Sequence, residues 1–332
     1  APYSSWATAT TNLLEALPEA IDGSVIVIAG TNNIHDLLYL DKGITVVGAT
    51  GHETDRIVQK KSGTRVAWLD HPDAVLRSLH ITGGDADGGF GNGVFIAAGG
   101  GRVIDCHVRE NKSNKNYGKG GGVYVSSPDG YVSRCIIEDN KVGAGGTGGG
   151  IMLAPGIAES CIVRLNYAPN GFGIAVSSPL ARVRNCNVIS NSGDSVNGGI
   201  HFSKSAVSDT GLEVVNSVFS GNHHSTKFDI SDWSAEEGYN AANLDAAFRS
   251  CVFTSAGLPS TTGCRTVADL GFTDSGYRFN RDSPLHDVGT WQGWMTGALD
   301  LYGNQRVDRR RRVDIGCYEL PYTPRGTLLL LH

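Results

Sequence analysis

The sequence predicts an all-β chain wound as a right-handed parallel β-helix, a solenoid with a short N-terminal capping helix. Three observations carry that expectation. First, a glycine followed by an apolar–x–apolar triplet recurs as Gly93-Val94-Phe95-Ile96, Gly122-Val123-Tyr124-Val125, Gly150-Ile151-Met152-Leu153, Gly173-Ile174-Ala175-Val176 and Gly199-Ile200-His201-Phe202. Second, each copy closes on a short segment ending in asparagine, from Cys106-His107-Val108-Arg109-Glu110-Asn111 to Ser217-Val218-Phe219-Ser220-Gly221-Asn222. Third, apolar residues inside each copy alternate with the period of a strand, not of a helix. The marker glycines lie 29, 28, 23 and 26 residues apart, and self-similarity at a spacing of about 20–50 residues marks a solenoid.

Successive coils then sit about 4.8 Å apart, the distance between paired strands, and equivalent side chains stack. Cys106, Cys135, Cys161, Cys186 and Ser217 form one inward file, preceded by Leu79. Val108, Ile137, Val163, Val188 and Phe219 form the next. Asn111, Asn140, Asn166, Asn191 and Asn222 form a third at a turn, where amides can bond the backbone and one another.

In chain order, residues 1–22 read as an N-terminal cap. Leu13, Leu14, Leu17 and Ile21 share one side at helical spacing, and a short amphipathic helix there would cover the otherwise open end of the sheets. Coils are expected over 23–222. They begin with Val25-Ile26-Val27-Ile28, a run of apolar residues that reads as a strand covered on both faces. Ile44-Thr45-Val46-Val47, Arg65-Val66-Ala67-Trp68-Leu69 and 74–82 supply the next strands before the clear copies. Residues 223–270 read as an irregular insert with a helix-like 241–248 and one last strand, Cys251-Val252-Phe253. Residues 271–332 read as a closing segment over the far end.

Bulk properties exclude several classes. The chain of 332 residues carries a net charge of −5, which gives no electrostatic reason to expect nucleic acid or an anionic membrane. The basic run 309–312 beside Asp308 and Asp314 reads as a solvated turn. No apolar run reaches the roughly 18 residues of a membrane span, and Ala1 reads as a mature or trimmed start. The seven cysteines contain no CxxC pair, so they read as small buried hydrophobes. Cys251 and Cys264 are the pair expected to bridge in an oxidising compartment.

Candidate sites follow from the outward positions. Phe95, Tyr124, Met152, Ala175 and His201 stack on the glycine-led strands, and Phe95 with Tyr124 makes an aromatic platform for a sugar ring, with His201 alongside. Arg109, Glu138 and Arg164 form an alternating charge file that reads first as structural support; Arg164 could also hold a substrate carboxylate. Asp85 and Asp87, two residues apart among glycines, are the weak candidate for calcium. Lys115, Tyr117 and Lys119 lie in the most basic loop, and abstraction of a proton beside a uronate carboxylate needs such a base and cation. The neighbouring coils lack the stacked paired carboxylates of a hydrolase. His223 and His224 with Asp229 and Asp232 are a further metal candidate, although adjacent rings in a strand point apart.

These repeats resemble the right-handed parallel β-helix superfamily of secreted bacterial proteins that includes pectate-lyase-like enzymes. Gly121-Gly122-Val123, Gly149-Gly150-Ile151 and Gly198-Gly199-Ile200, with Val108…Asn111, Ile137…Asn140 and Phe219…Asn222, look like the GGA-I and F-x-x-N repeats of polymorphic outer-membrane proteins. Asp300-Leu301-Tyr302-Gly303-Asn304-Gln305-Arg306 followed by Val313-Asp314-Ile315-Gly316-Cys317-Tyr318-Glu319 is similar to the DLDGN-x-R…DIGAYE close of large secreted β-helix proteins, departing from it at Tyr302 and Cys317. The resemblance implies an exported protein at the outer cell surface or outside the cell, commonly an adhesin, and transfers no catalytic residue. The expected function is non-catalytic contact with an extracellular polysaccharide or with other surface proteins. A polysaccharide lyase or glycoside hydrolase working in a groove on the same face is the alternative.

Overall fold

The computed structural model describes residues 5, 9–87, 89–114, 116–194, 198–222, 241–254, 263–308 and 310–321. Its strands form three sheets in which every neighbour is parallel and one coil away in sequence. A coil visits the three sheets in order. The fourth runs Arg102–Ile104 on the first sheet, His107–Arg109 on the second and Val123–Val125 on the third. Seven coils have all three strands, from Val25–Ile28, Thr31–Ile34 and Leu38–Leu40 to Ala181–Arg184, Asn187–Ile189 and Ile200–Phe202. Beyond them the described chain adds strands to the first and second sheets only.

The predicted files exist. Leu79, Cys106, Cys135, Cys161, Cys186, Ser217 and Cys251 are all at most 1% exposed. They sit at the corner between the first two sheets, a corner of two residues in most coils, as in Asp105-Cys106 and Arg134-Cys135. The first of the two is left-handed: Ser78, Asp105, Arg134, Ser160, Asn185, Asn216 and Ser250 have φ between 48° and 56°. That region is unfavourable for L-residues, least so for Asn and Asp. Each cysteine Sγ donates back across the corner to the first-sheet carbonyl two residues earlier, at 3.2 Å for Cys106, Cys135, Cys161 and Cys186. No disulfide joins any of the seven cysteines, so the expected Cys251–Cys264 bridge is absent; Cys251 N–H instead donates to Cys264 Sγ at 3.4 Å.

The asparagine file is a buried ladder. Asn111 Nδ2 donates to Asn140 Oδ1 (3.0 Å), Asn140 to Asn166 (3.0 Å), Asn166 to Asn191 (3.0 Å) and Asn191 to Asn222 (2.8 Å). Each oxygen also accepts the backbone N–H of the preceding asparagine. The ladder is one reason for the marker glycines. A Cβ at Gly93, Gly122, Gly150, Gly173 or Gly199 would lie 2.5–2.9 Å from the amide nitrogen of Asn111, Asn140, Asn166, Asn191 or Asn222. Glycine and asparagine recur together because they touch.

Three expectations are corrected. The N-terminal helix is Leu13–Ala16 only, capped by Asn12 and stopped before Pro18; Leu13, Ala16 and Ala20 are buried while Ile21 is 72% exposed. Val25 and Val27 are 61% and 46% exposed, so the first strand is covered on one face only. The closing segment expected over 271–332 lies, in its described part, along the flank and not over the far end; residues 322–332 lie outside the described residues. Leu270, Phe279, Leu285, Ile315 and Tyr318 pack on Ile189, Val218 and Val252, the outer side of the second sheet.

The motif of the closing segment fastens it there. Arg306, fully buried, donates to Glu319 Oε1 (2.8 Å), to the Gly316 carbonyl (2.8 Å) and to Ser160 Oγ (3.0 Å). Asp300 accepts the N–H groups of Tyr302, Asn304 and Glu319. Asp314 accepts those of Asp287 and Leu320. Asn216 exchanges two bonds with Thr290, and Asn187 Oδ1 accepts the Cys317 N–H. The left-handed corner of the solenoid is thus the docking line for the segment.

Candidate functional site

The third sheet turns one side chain outward from each strand. In register these are Tyr39, Trp68, Phe95, Tyr124, Met152, Ala175 and His201. The first four make a continuous aromatic file at the coil spacing. Tyr39 and Trp68 centroids are 6.0 Å apart, Trp68 and Phe95 4.7 Å, and Phe95 and Tyr124 5.3 Å. Phe90, exposed on the preceding loop, leans onto Tyr124 at 5.4 Å. Edge-on and tilted contacts of this kind are the favoured aromatic geometry.

Two cations border the file. The Arg65 guanidinium lies 4.9 Å from the Trp68 ring and 5.0 Å from that of Phe95, and burial lowers its pKa. Lys119 Nζ lies 5.7 Å from Phe90. Arg65 Nη1 and Trp68 Nε1 are both buried without a hydrogen-bond partner. A buried donor left unmade costs about 1–3 kcal/mol, so the strip contains, just beneath its surface, two donors whose needs the protein does not meet.

The predicted residues divide. Phe95 and Tyr124 stand together in the strip, half-buried. His201 belongs to the same file but is 8% exposed, and burial lowers its pKa to about 4. The sugar-contact position expected at His201 is therefore a buried one, the file being open only over its first four coils. Arg164 lies on the second sheet, away from the strip. Its Nε donates to Glu138 Oε2 at 2.6 Å and its Nη1 to the Ser275 carbonyl at 2.9 Å. Glu138 also takes His107 Nε2 at 3.0 Å and Arg109 at 3.6 Å. The His107 bond foremost, then Arg164, hold its carboxyl down at about 2.

Lys119 is at the strip margin, whereas Tyr117 is 75% exposed in its loop. Lys115 lies outside the described residues, as do Arg309 and the His223, His224, Asp229 and Asp232 group. Asp85 is half-buried and takes Ser62 Oγ at 3.4 Å; Asp87 is exposed. Among the described residues His286, Asp287 and Asp314 do bring ligand atoms within 4.8 Å of one another. Arg312 pairs with Asp287 there, and Asp314 holds two backbone N–H groups, so these carboxylates serve the clasp.

Trp68 and Arg65 escaped the sequence reading of the site because their coil lacks the glycine marker: Val66 stands where later coils have glycine. Alternation in Ala67-Trp68-Leu69 was the available signal. No helix among the described residues is long and apolar enough to cross a membrane. No curated protein and no solved structure matches the chain. A family model described as the right-handed β-helix region matches residues 71–255, the stretch in which thiol, amide and glycine files all run. With more than half of its length matched and its three parallel sheets in sequential order, the chain belongs to the right-handed β-helix family.

Proposed function

We infer that this chain is an exported, non-catalytic surface protein whose third sheet holds an extended glycan along the Tyr39–Trp68–Phe95–Tyr124 file. One observation carries the reading: an open row of aromatic rings contains two buried donors, Arg65 Nη1 and Trp68 Nε1, that lack protein acceptors. Ring faces supply stacking surface for sugars. The guanidinium supplies a charge-assisted bond, strongest to a carboxylate or sulfate. A repeating polymer suits a repeating file, because each coil offers an equivalent position one strand spacing further on. Adhesion or assembly at a cell surface would follow from such contact.

Affinity electrophoresis against acidic and neutral polysaccharides tests the reading. The wild-type chain should be retarded by an acidic polymer, with retardation lost in Trp68→Ala and Tyr124→Ala and no sugar released. Absence of retardation by any polymer, or retention unchanged in both variants, would refute it. Lys119 at the strip margin favours one second reading, a lyase. Release of unsaturated product that disappears in Lys119→Ala would support that reading in place of the first.

A further inference from the structure

The outer side of the second sheet, near its N-terminal end, gathers three imidazoles. His80 and His107 are in register on adjacent strands, their rings stacked with centroids 5.2 Å apart and 23° between planes. His52, on the connection between Thr45–Gly48 and Arg56–Gln59, sets its ring edge-on to His107 at 5.8 Å. His80 is 7% exposed and its Nε2 has no hydrogen-bond partner. His52 Nδ1 is also buried without a hydrogen bond, with Glu53 Oε1 3.5 Å away. Glu138 accepts from His107 Nε2, so Nδ1 is the nitrogen of that ring left to face a ligand.

Imidazoles with available lone pairs, one of them oriented by a carboxylate, are the donor set preferred by zinc and neighbouring divalent ions. A tetrahedral ion about 2.1 Å from each nitrogen places ring centroids about 5 Å apart; the centroids here are 5.2 Å and 5.8 Å apart, while the three ligand nitrogens do not all lie within 4.8 Å of one another. We propose that His52, His80 and His107 form a binding site for Zn²⁺ or a similar imidazole-preferring divalent cation, with Glu138 as its positioning residue. Binding needs the His52 and His80 rings to turn about their side-chain torsions until their nitrogens converge with that of His107, which Glu138 holds. His80 and His107 project from the same side of one sheet, so that turn displaces no strand. Of the flanking charges, Arg109 is engaged by Glu110 and Glu138, and Asp105 by Arg134; Glu53 and Arg56 complete the surround.

Calorimetric titration of the tag-free chain with Zn²⁺ tests the proposal, alongside nitrogen-15 spectra of the histidine rings. Saturable binding is expected, with the ring signals of His52, His80 and His107 shifting together. His80→Gln and His107→Gln should each weaken binding about tenfold or more. His286→Ala, in the other histidine-containing cluster, should leave it unchanged. The spectra use the wild-type chain, so a poorly folding variant does not decide the outcome. No Zn²⁺ binding by the wild-type chain, undiminished affinity in the doubly substituted chain, or shifts confined to other histidines would overturn the proposal.

Discussion

Replacing Asn140 with alanine tests whether the amide file holds the coils together. The Asn140 side chain makes four hydrogen bonds: Nδ2 donates to the Val108 carbonyl (2.9 Å) and to Asn166 Oδ1 (3.0 Å). Its Oδ1 accepts the Asn111 N–H (3.1 Å) and Asn111 Nδ2 (3.0 Å). The residue is 1% exposed, so water cannot readily substitute. Asn111 Nδ2 retains the Ile81 and Arg109 carbonyls, and Asn166 Oδ1 retains the Asn140 N–H. The Asn111 backbone N–H is left without its partner. At about 1 kcal/mol net per bond, the loss is about 4 kcal/mol. Because solenoid coils lean on their neighbours, chemical denaturation should be paired with hydrogen exchange. A lowered denaturation midpoint, with the Asn111 amide among the first to lose protection, is expected. A loss below about 1 kcal/mol with Asn111 exchange unchanged would refute a cohesive role for the ladder.

The clasp, the thiols and one histidine give three further expectations. Arg306→Met leaves the Glu319 carboxyl buried without its guanidinium. Removing one partner of a buried pair costs about 3–5 kcal/mol, so limited proteolysis should free the segment beyond residue 270 while the coils resist. Burial pushes the thiols of Cys135, Cys161, Cys186 and Cys251 well above their ordinary pKa. A chromogenic disulfide should therefore leave them unmodified in the native chain and react with them after denaturation. His201, held neutral by burial down to about pH 4, protonates in the unfolded chain at about 6.5. Its contribution to stability is present above that value and is lost as pH falls from about 6.5 towards 4. His201→Gln should flatten that part of a stability–pH curve, as measured by thermal melts.

What could be read in advance was whatever repeats. Cys106 to Cys186 and Asn111 to Asn222 were aligned by spacing alone, since parallel coils convert a sequence period directly into contact. The glycine markers were visible too, although only coordinates show that the asparagine amide, joined in most coils by the next coil's carbonyl and an inward aliphatic side chain, excludes a Cβ. The flank position of the closing segment was not legible. Its contacts, such as Arg306 with Ser160 and Cys317 with Asn187, join residues far apart in the chain without any period. The imidazole group was hidden for a related reason. His80 and His107 share a register, but His52 enters from a connection between strands whose path the alternation does not encode. In the strip, Phe95 and Tyr124 were legible as a pair, while Arg65 joined them only once its guanidinium was seen against both rings.

The two-residue corner constrains where the molecule can vary. Apart from residues 49–55, the step from first to second sheet is two residues long, and from Ser78-Leu79 onward it takes a left-handed residue followed by a buried inward one. The step from second to third sheet instead ranges from the short 35–37 to the long 110–122. The step from third to first sheet varies too, from 154–155 to 203–212, so length changes largely spare the first corner and gather at these two steps. New peptide spliced into the 143–146 loop would be displayed there without disturbing the winding, whereas one residue added at Asp105 would throw every later coil out of phase.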